Sequence, residues 1–164
     1  MNGVDVVLRA LHQGERHMVH RLLAAAERHH GEHEVHHVAT DIAGWSRAHA
    51  QQLADAACRR GLDLGAPDPS TPGGAPAAAA WGEDDDSAGQ RFEPGLQPLH
   101  DLRGLHLDAA GNSLYWEMLA QTAQATGDDR LLGVARACHP QTLRQMRWTD
   151  TMIKNLSPQI LMSR

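Results

Sequence analysis

Aromatic residues other than tryptophan are almost missing from this chain: its 164 residues include one Phe, one Tyr and four Trp. Strands normally draw on Val, Ile, Thr, Tyr and Phe, whereas Ala, Leu, His and Arg dominate here, which is the composition of helices. Cysteine is as scarce. Cys58 and Cys138 are the only two, far apart and each inside a helical pattern, so the chain has neither a disulfide framework nor a C-x-x-C metal or redox motif, and it reads as intracellular. No stretch approaches the ~18 consecutive apolar residues of a membrane span. The start, Met1-Asn2-Gly3-Val4-Asp5-Val6-Val7-Leu8-Arg9, has no basic segment followed by an apolar one. A soluble cytoplasmic protein with no membrane partner is expected. An excess of basic charge is missing too: a net charge of −5 and a pI near 6.1 argue against a nucleic-acid binder, which needs a basic face. There is no G-x-S-x-G, P-loop or dinucleotide fingerprint, so no nucleophile or nucleotide chemistry is signalled and no reaction is named.

The sequence does contain a repeated helical seam. The length suits one domain over residues 1–164 with a proper hydrophobic core. Val4, Leu8, Leu11, Glu15, Met18, Leu22, Ala25 and His29 recur in steps of four and three and predict a helix over about 3–30. Past Gly31 the spacing returns as Val35, Val38, Ile42, Trp45, His49, Gln52 and Ala56, a helix over about 32–60 with Gly61 as its C-terminal cap. Residues 65–97 hold most of the eight prolines, the run Ala77–Ala80 and the acidic cluster Glu83-Asp84-Asp85-Asp86. That composition predicts a mobile linker. Leu102, Leu105, Ala109, Asn112, Trp116, Leu119 and Ala123 then mark a helix over about 98–126. After the turn Gly127-Asp128-Asp129, a helix over about 128–155 follows on Leu132, Ala135, His139, Thr142, Met146, Thr149 and Ile153. Pro140 should kink this last helix.

The two hairpins are alike. Leu8-Arg9-Ala10-Leu11-His12 reads against Leu102-Arg103-Gly104-Leu105-His106, and Ala48-His49-Ala50-Gln51-Gln52-Leu53 against Cys138-His139-Pro140-Gln141-Thr142-Leu143. Seam positions fall on seam positions, which predicts an internal duplication. A helix of about 28 residues is ~42 Å long, and a linker of this length spans that at ~3.3 Å per residue. This favours an all-α four-helix bundle whose two similar hairpins are joined by a long Pro/Gly-rich crossover with helices two and three parallel. A loop between adjacent helix ends would also fit.

Four helices in two similar hairpins, a long central connection and polar residues in mid-seam resemble the ferritin-like superfamily. Its di-iron members place a Glu on helices one and three and Glu-x-x-His on helices two and four. Glu15, His49 and His139 stand where the resemblance implies ligands. Ser46 and Arg136 replace the two Glu-x-x-His carboxylates, and Ala109 replaces the Glu of helix three, so the motif is degenerate. What remains is Glu15, His49 and His139, with His12 and His106 about one turn away. This set suits one transition-metal ion, Fe, Zn, Cu or Ni, because imidazole is a good borderline ligand and a carboxylate adds charge. The alternative is a non-catalytic structural or interaction bundle in which Glu15 and the histidines form a buried hydrogen-bonded network that fixes register. Twelve histidines also make a pH-responsive bundle an expectation.

Elsewhere the bland readings lead. His29, His30, His33, His36 and His37 form a solvated face that could bind divalent metal adventitiously. Trp45 and Trp116 are core residues, Trp81 and Phe92 anchor the linker to its own bundle, and Cys58 and Cys138 fill core space. Arg130, Arg136, Arg144, Arg147 and Lys154 make helix four basic, which against acidic segments suits intramolecular or homo-oligomer contacts through helix faces.

Overall fold

A computed structural model of the chain describes residues 2–65 and 93–163. It contains α1 (Gly3–Arg28), α2 (His33–Arg59), a short 3-10 turn (Pro94–Leu96), α3 (Gln97–Thr126) and α4 (Asp129–Leu161), with no strand among the described residues. Trp81, Phe92, the acidic run Glu83–Asp86 and most of the expected linker lie outside them.

The helix ends follow from local chemistry. Asn2 and Asp128 cap α1 and α4, their side chains accepting from the Asp5 and Leu131 amides at 3.0 Å each, which satisfies donors that have no partner inside the helix. Gly61 and Gly127 sit at φ +77° and +70° just past α2 and α3. That left-handed geometry lets the Leu62 amide reach the Ala57 carbonyl and the Asp128 amide the Ala123 carbonyl, both at 2.9 Å, and glycine adopts it without steric cost. The fourth helix runs further than the seam suggests. It continues past residue 155 to Leu161 with both Pro140 and Pro158 inside it.

Cross-helix contacts set the topology. Glu15 meets His49 and Arg60 meets Asp5, so α1 and α2 are antiparallel. Arg21 meets Asp108 and Arg28 meets Asp101, so α3 is antiparallel to α1 as well. Gln145 on α4 reaches Ser46 on α2, and Ser113 on α3 reaches His139 on α4. The helices therefore form a square in which every neighbouring pair is antiparallel and α2 and α3 are parallel across the diagonal. Gly65 and Glu93 stand at opposite ends of the bundle, so the connection is a crossover.

Two apolar clusters fill most of the interior. Leu8, Leu11, Leu53, Trp116, Leu119, Leu131 and Cys138 occupy one half, and Met18, Leu22, Ala39, Ile42, Leu105 and Ala109 the other. The seam of α4 differs from the expected one. Its buried residues are Leu131, Ala135, Cys138, Thr142, Gln145, Thr149 and Met152, so Leu132, His139, Met146 and Ile153 fall on the flank. Both rows share Ala135, Thr142 and Thr149, and the alternatives lie about 100° apart on either side of them. Spacing alone does not choose between the two.

One end of the bundle is clamped by a buried carboxylate. Asp101 on α3 receives Arg28 through two bonds of 3.0 Å, His29 Nε2 at 2.7 Å and Gln97 Nε2 at 2.8 Å. His29 thus leaves the solvated histidine face and helps dock the start of α3 on the end of α1. Burial pushes the Asp101 carboxyl up, but the bonds from Arg28, His29 and Gln97 outweigh it and hold it below the usual carboxylate value. A carboxyl depressed in the folded state stabilises fully above its unfolded pKa of ~3.9, and that stability is lost as pH falls through the folded value. Asp101→Asn should cost ~2 kcal/mol at pH 7. Thermal midpoints of the variant and the parent should then converge as the pH is taken below about 3.9.

Candidate functional site

Between the two apolar clusters runs a polar layer to which every helix contributes. Glu15 from α1, Ser46 and His49 from α2, Asn112 from α3, and Thr142 and Gln145 from α4 are all buried. Glu15 lies one turn from Leu11 and Met18, in a position where the periodicity of α1 calls for an apolar side chain. A carboxylate there needs donors, because an ion taken out of water without them is very costly.

Two donors converge on one of its oxygens. His49 Nδ1 lies 3.2 Å from Glu15 Oε1, and Trp116 Nε1 donates to the same atom at 3.0 Å. The imidazole meets the Trp116 ring edge-on, with centroids 5.8 Å apart and planes at 83°. His49 Nε2 lies 2.8 Å from Gln141 Oε1. Oxygen atoms thus stand at both ring nitrogens of His49, and they tie α2 to α1 on one side and to α4 on the other. Glu15 Oε2 has no donor among the described residues.

The rest of the layer is built from neutral groups. Gln145 Nε2 donates to Ser46 Oγ at 2.9 Å and to the Ile42 carbonyl at 3.1 Å. Ser46, which stands where the resemblance implies a carboxylate, is therefore filled by a hydrogen bond to α4. Asn112 packs on Gly14, where a Cβ would fall 2.2 Å from the Asn112 Oδ1. Gly14 makes room for this buried amide.

The sequence-predicted ligands separate. Glu15 and His49 meet, but His139 does not join them. Its Nε2 lies 2.8 Å from Ser113 Oγ and its Nδ1 3.8 Å from Glu117 Oε2, on the flank created by the shifted α4 seam. His106 Nδ1 donates at 2.8 Å to the Thr149 hydroxyl, which itself donates to the Met146 carbonyl. His12 faces a surface hollow beside Arg16 and Arg47, and burial, together with the charges of Arg16 and Arg9, pushes its pKa down. Among the described residues no group of three or more His, Cys, Asp or Glu side chains is placed to hold a metal. Neither of the two surface hollows described, one at Arg28 and Pro94 and the other at His12 and Arg47, is lined by Glu15 or His49.

Trp116, Gln141 and Gln145 are the members that sequence reasoning missed as partners. The usable signal was that a mid-seam carboxylate demands donors, and Trp116 was the seam residue with an N–H to give. Cys138 lies in the adjoining apolar cluster and is buried. Burial first, and the Glu15 charge second, push its thiol up to about 12.

Comparison with known proteins yields no family model, no curated protein and no solved structure that matches this chain. Among the described residues no helix is long and apolar enough to cross a membrane.

Two measurements test the layer. Glu15→Leu leaves His49 Nδ1 and the Trp116 N–H buried without an acceptor and should cost ~3–5 kcal/mol by urea unfolding. Glu15→Leu combined with His49→Leu should be more stable than Glu15→Leu alone, since apolar replacement of a whole buried pair is often neutral. With a thiol-specific chromogenic reagent at neutral pH, Cys58, which is exposed, should react at once, and Cys138 only on unfolding.

Proposed function

We propose that this chain is a non-catalytic, cytoplasmic interaction bundle that pairs with a second copy of itself through the outer face of α3, on a scaffold whose register is set by the buried Glu15–His49 pair. The observation that carries this reading is an exposed heptad stripe. Leu107, Leu114 and Met118 are 51%, 63% and 49% exposed, and with Gly111 they recur in steps of four, three and four. A surface helix normally turns charge outward, whereas this stripe has the a/d pattern of a helix with a partner. A Cβ at Gly111 would meet nothing within 4 Å among the described residues, which therefore give no reason for a glycine in mid-helix. Close approach of a second helix does.

The flanking charges suit an antiparallel copy. A two-fold axis between Ala110 and Gly111 sets Leu107 against the partner's Leu114, and it sets exposed Arg103 beside the partner's Glu117, in the self-complementary manner of a dimer. The crossover path supports the ferritin-like reading of the architecture, with Glu15 and His49 as what is kept of the ligand set.

A second reading, a metal ion on Glu15 and His49, has one observation in its favour, the donorless Glu15 Oε2. It requires an ion on His49 Nδ1 in place of the present contact with Glu15 Oε1, with Nε2 still facing Gln141. Elemental analysis of untagged protein decides for it only if about one Fe, Zn, Cu or Ni ion per chain is found and is lost in His49→Leu.

Light scattering on eluting protein should give about twice the 17.9 kDa chain mass at high concentration, falling towards the monomer on dilution. Leu114→Lys should give the monomer without loss of helix or thermal midpoint. Arg103→Glu should weaken the dimer, and Arg103→Glu with Glu117→Arg should restore it. A monomer at every concentration refutes the proposal.

A further inference from the structure

A second surface, far from the α3 stripe, carries a different chemistry. On the outer side of α1 the residues Arg9, His12, Arg16, Val19 and Leu23 recur in steps of three and four and so share one face, with His20 beside Val19 and one turn past Arg16. The antiparallel α2 brings Arg47, Ala50, Gln51 and Ala54 against them. Together they form a hollow of about 390 Å³, with His12, Arg16, His20 and Arg47 in its lining.

Its arginines stand apart from the others that point between helices. Arg21, Arg28 and Arg60 each hold an aspartate, whereas Arg9, Arg16 and Arg47 hold no carboxylate among the described residues. Arg9 Nε is buried without an acceptor. The nearest acid along the α2 wall is Asp55, one turn past Gln51, and its Oδ1 is already occupied by Gln51 Nε2 at 2.9 Å. In a chain of net charge −5, two unneutralised guanidinium groups in the lining of one concavity, with Arg9 one turn before His12 on the same face of α1, favour an anion. The lowered pKa of His12 fits the same field, because Arg16 and Arg9 add to the effect of its burial.

The lining also indicates which anion. A guanidinium presents a planar fork that matches two oxygens of a phosphate or carboxylate, and here two forks, from Arg16 on one helix and Arg47 on the other, are joined by two imidazoles. A dianion with three terminal oxygens uses more of these donors than a carboxylate can. Val19, Leu23, Ala50 and Ala54 add an apolar floor. We propose that the α1/α2 groove is a binding site for a small phosphomonoester, its phosphate held between Arg16 and Arg47 and its organic part resting on that floor. This site is independent of self-association through α3.

The test uses the whole chain and nuclear magnetic resonance, with phenyl phosphate, inorganic phosphate and benzoate as probes. Phenyl phosphate should shift the ring signals of His12 and His20 and the side-chain signals of Arg16 and Arg47, and the shifts should saturate. Inorganic phosphate should move the same signals more weakly, and benzoate should bind about tenfold less tightly than phenyl phosphate or worse. Arg16→Gln with Arg47→Gln, both at exposed positions, should weaken phenyl phosphate about tenfold or more while leaving the thermal midpoint unchanged. The proposal is overturned if no shift saturates by about 10 mM, if the double variant binds as the parent does, or if benzoate matches phenyl phosphate. It also fails if binding emerges only after Asp84, Asp85 and Asp86 are changed to Asn, because the chain's own acidic run would then be what the arginines hold.

Discussion

A carboxylate at the centre of a helical bundle can be ionised only where donors reach it, and the Glu15 layer is arranged around that demand. Its oxygen takes His49 from α2 and Trp116 from α3, and His49 in turn meets Gln141 on α4. Glu15 and His49 together therefore tie all four helices at a single level. Sliding any helix by one turn would break a buried polar contact at a cost of several kcal/mol. The leucines and alanines on either side lack this directionality, since apolar side chains of similar volume can repack. The apolar clusters supply most of the stabilisation, and the polar layer selects one alignment.

Much of the architecture was legible in the sequence. The heptad spacing located α1, α2 and α3 to within a few residues, and Gly61 and Gly127 marked helix ends because a left-handed cap needs glycine. The length of the linker favoured the crossover, which the pairings of Arg28 with Asp101 and Gln145 with Ser46 bear out. The site was less legible. The singling out of Glu15 and His49 rested on a sound signal, polar residues on an apolar seam, and these two do meet. His139 was misplaced because the rows through His139 and Cys138 flank the same line of small residues, and only packing against α2 and α3 selects between them. Asp101 escaped notice because it lies beside the seam residue Leu102, and its partners Arg28 and His29 come from a helix end that reads as solvated. Long-range ion pairs of this kind leave no periodic mark.

The outer surfaces divide by helix. At the two ends, Arg60 bridges Asp5 and Asp128 while Asp101 gathers Arg28, His29 and Gln97, so charge joins the helices where the apolar core thins out. Between the ends, α3 turns leucine and methionine outward, and the α1/α2 face turns out histidine and the arginines Arg16 and Arg47, which pair with no carboxylate among the described residues. The core layer and these faces are separate features, which lets a surface change without disturbing the register beneath it.

The crossover has a mechanical consequence. Because α1 and α4 run in the same direction on opposite corners of the square, residue 2 leaves one end of the bundle and residue 163 leaves the other, ~40 Å apart for helices of this length. A pull between them loads the helices along their axes, so that contacts all along the seam resist together. Had the chain closed as a simple up-and-down bundle, both ends would emerge side by side, and the same pull would peel one helix off turn by turn.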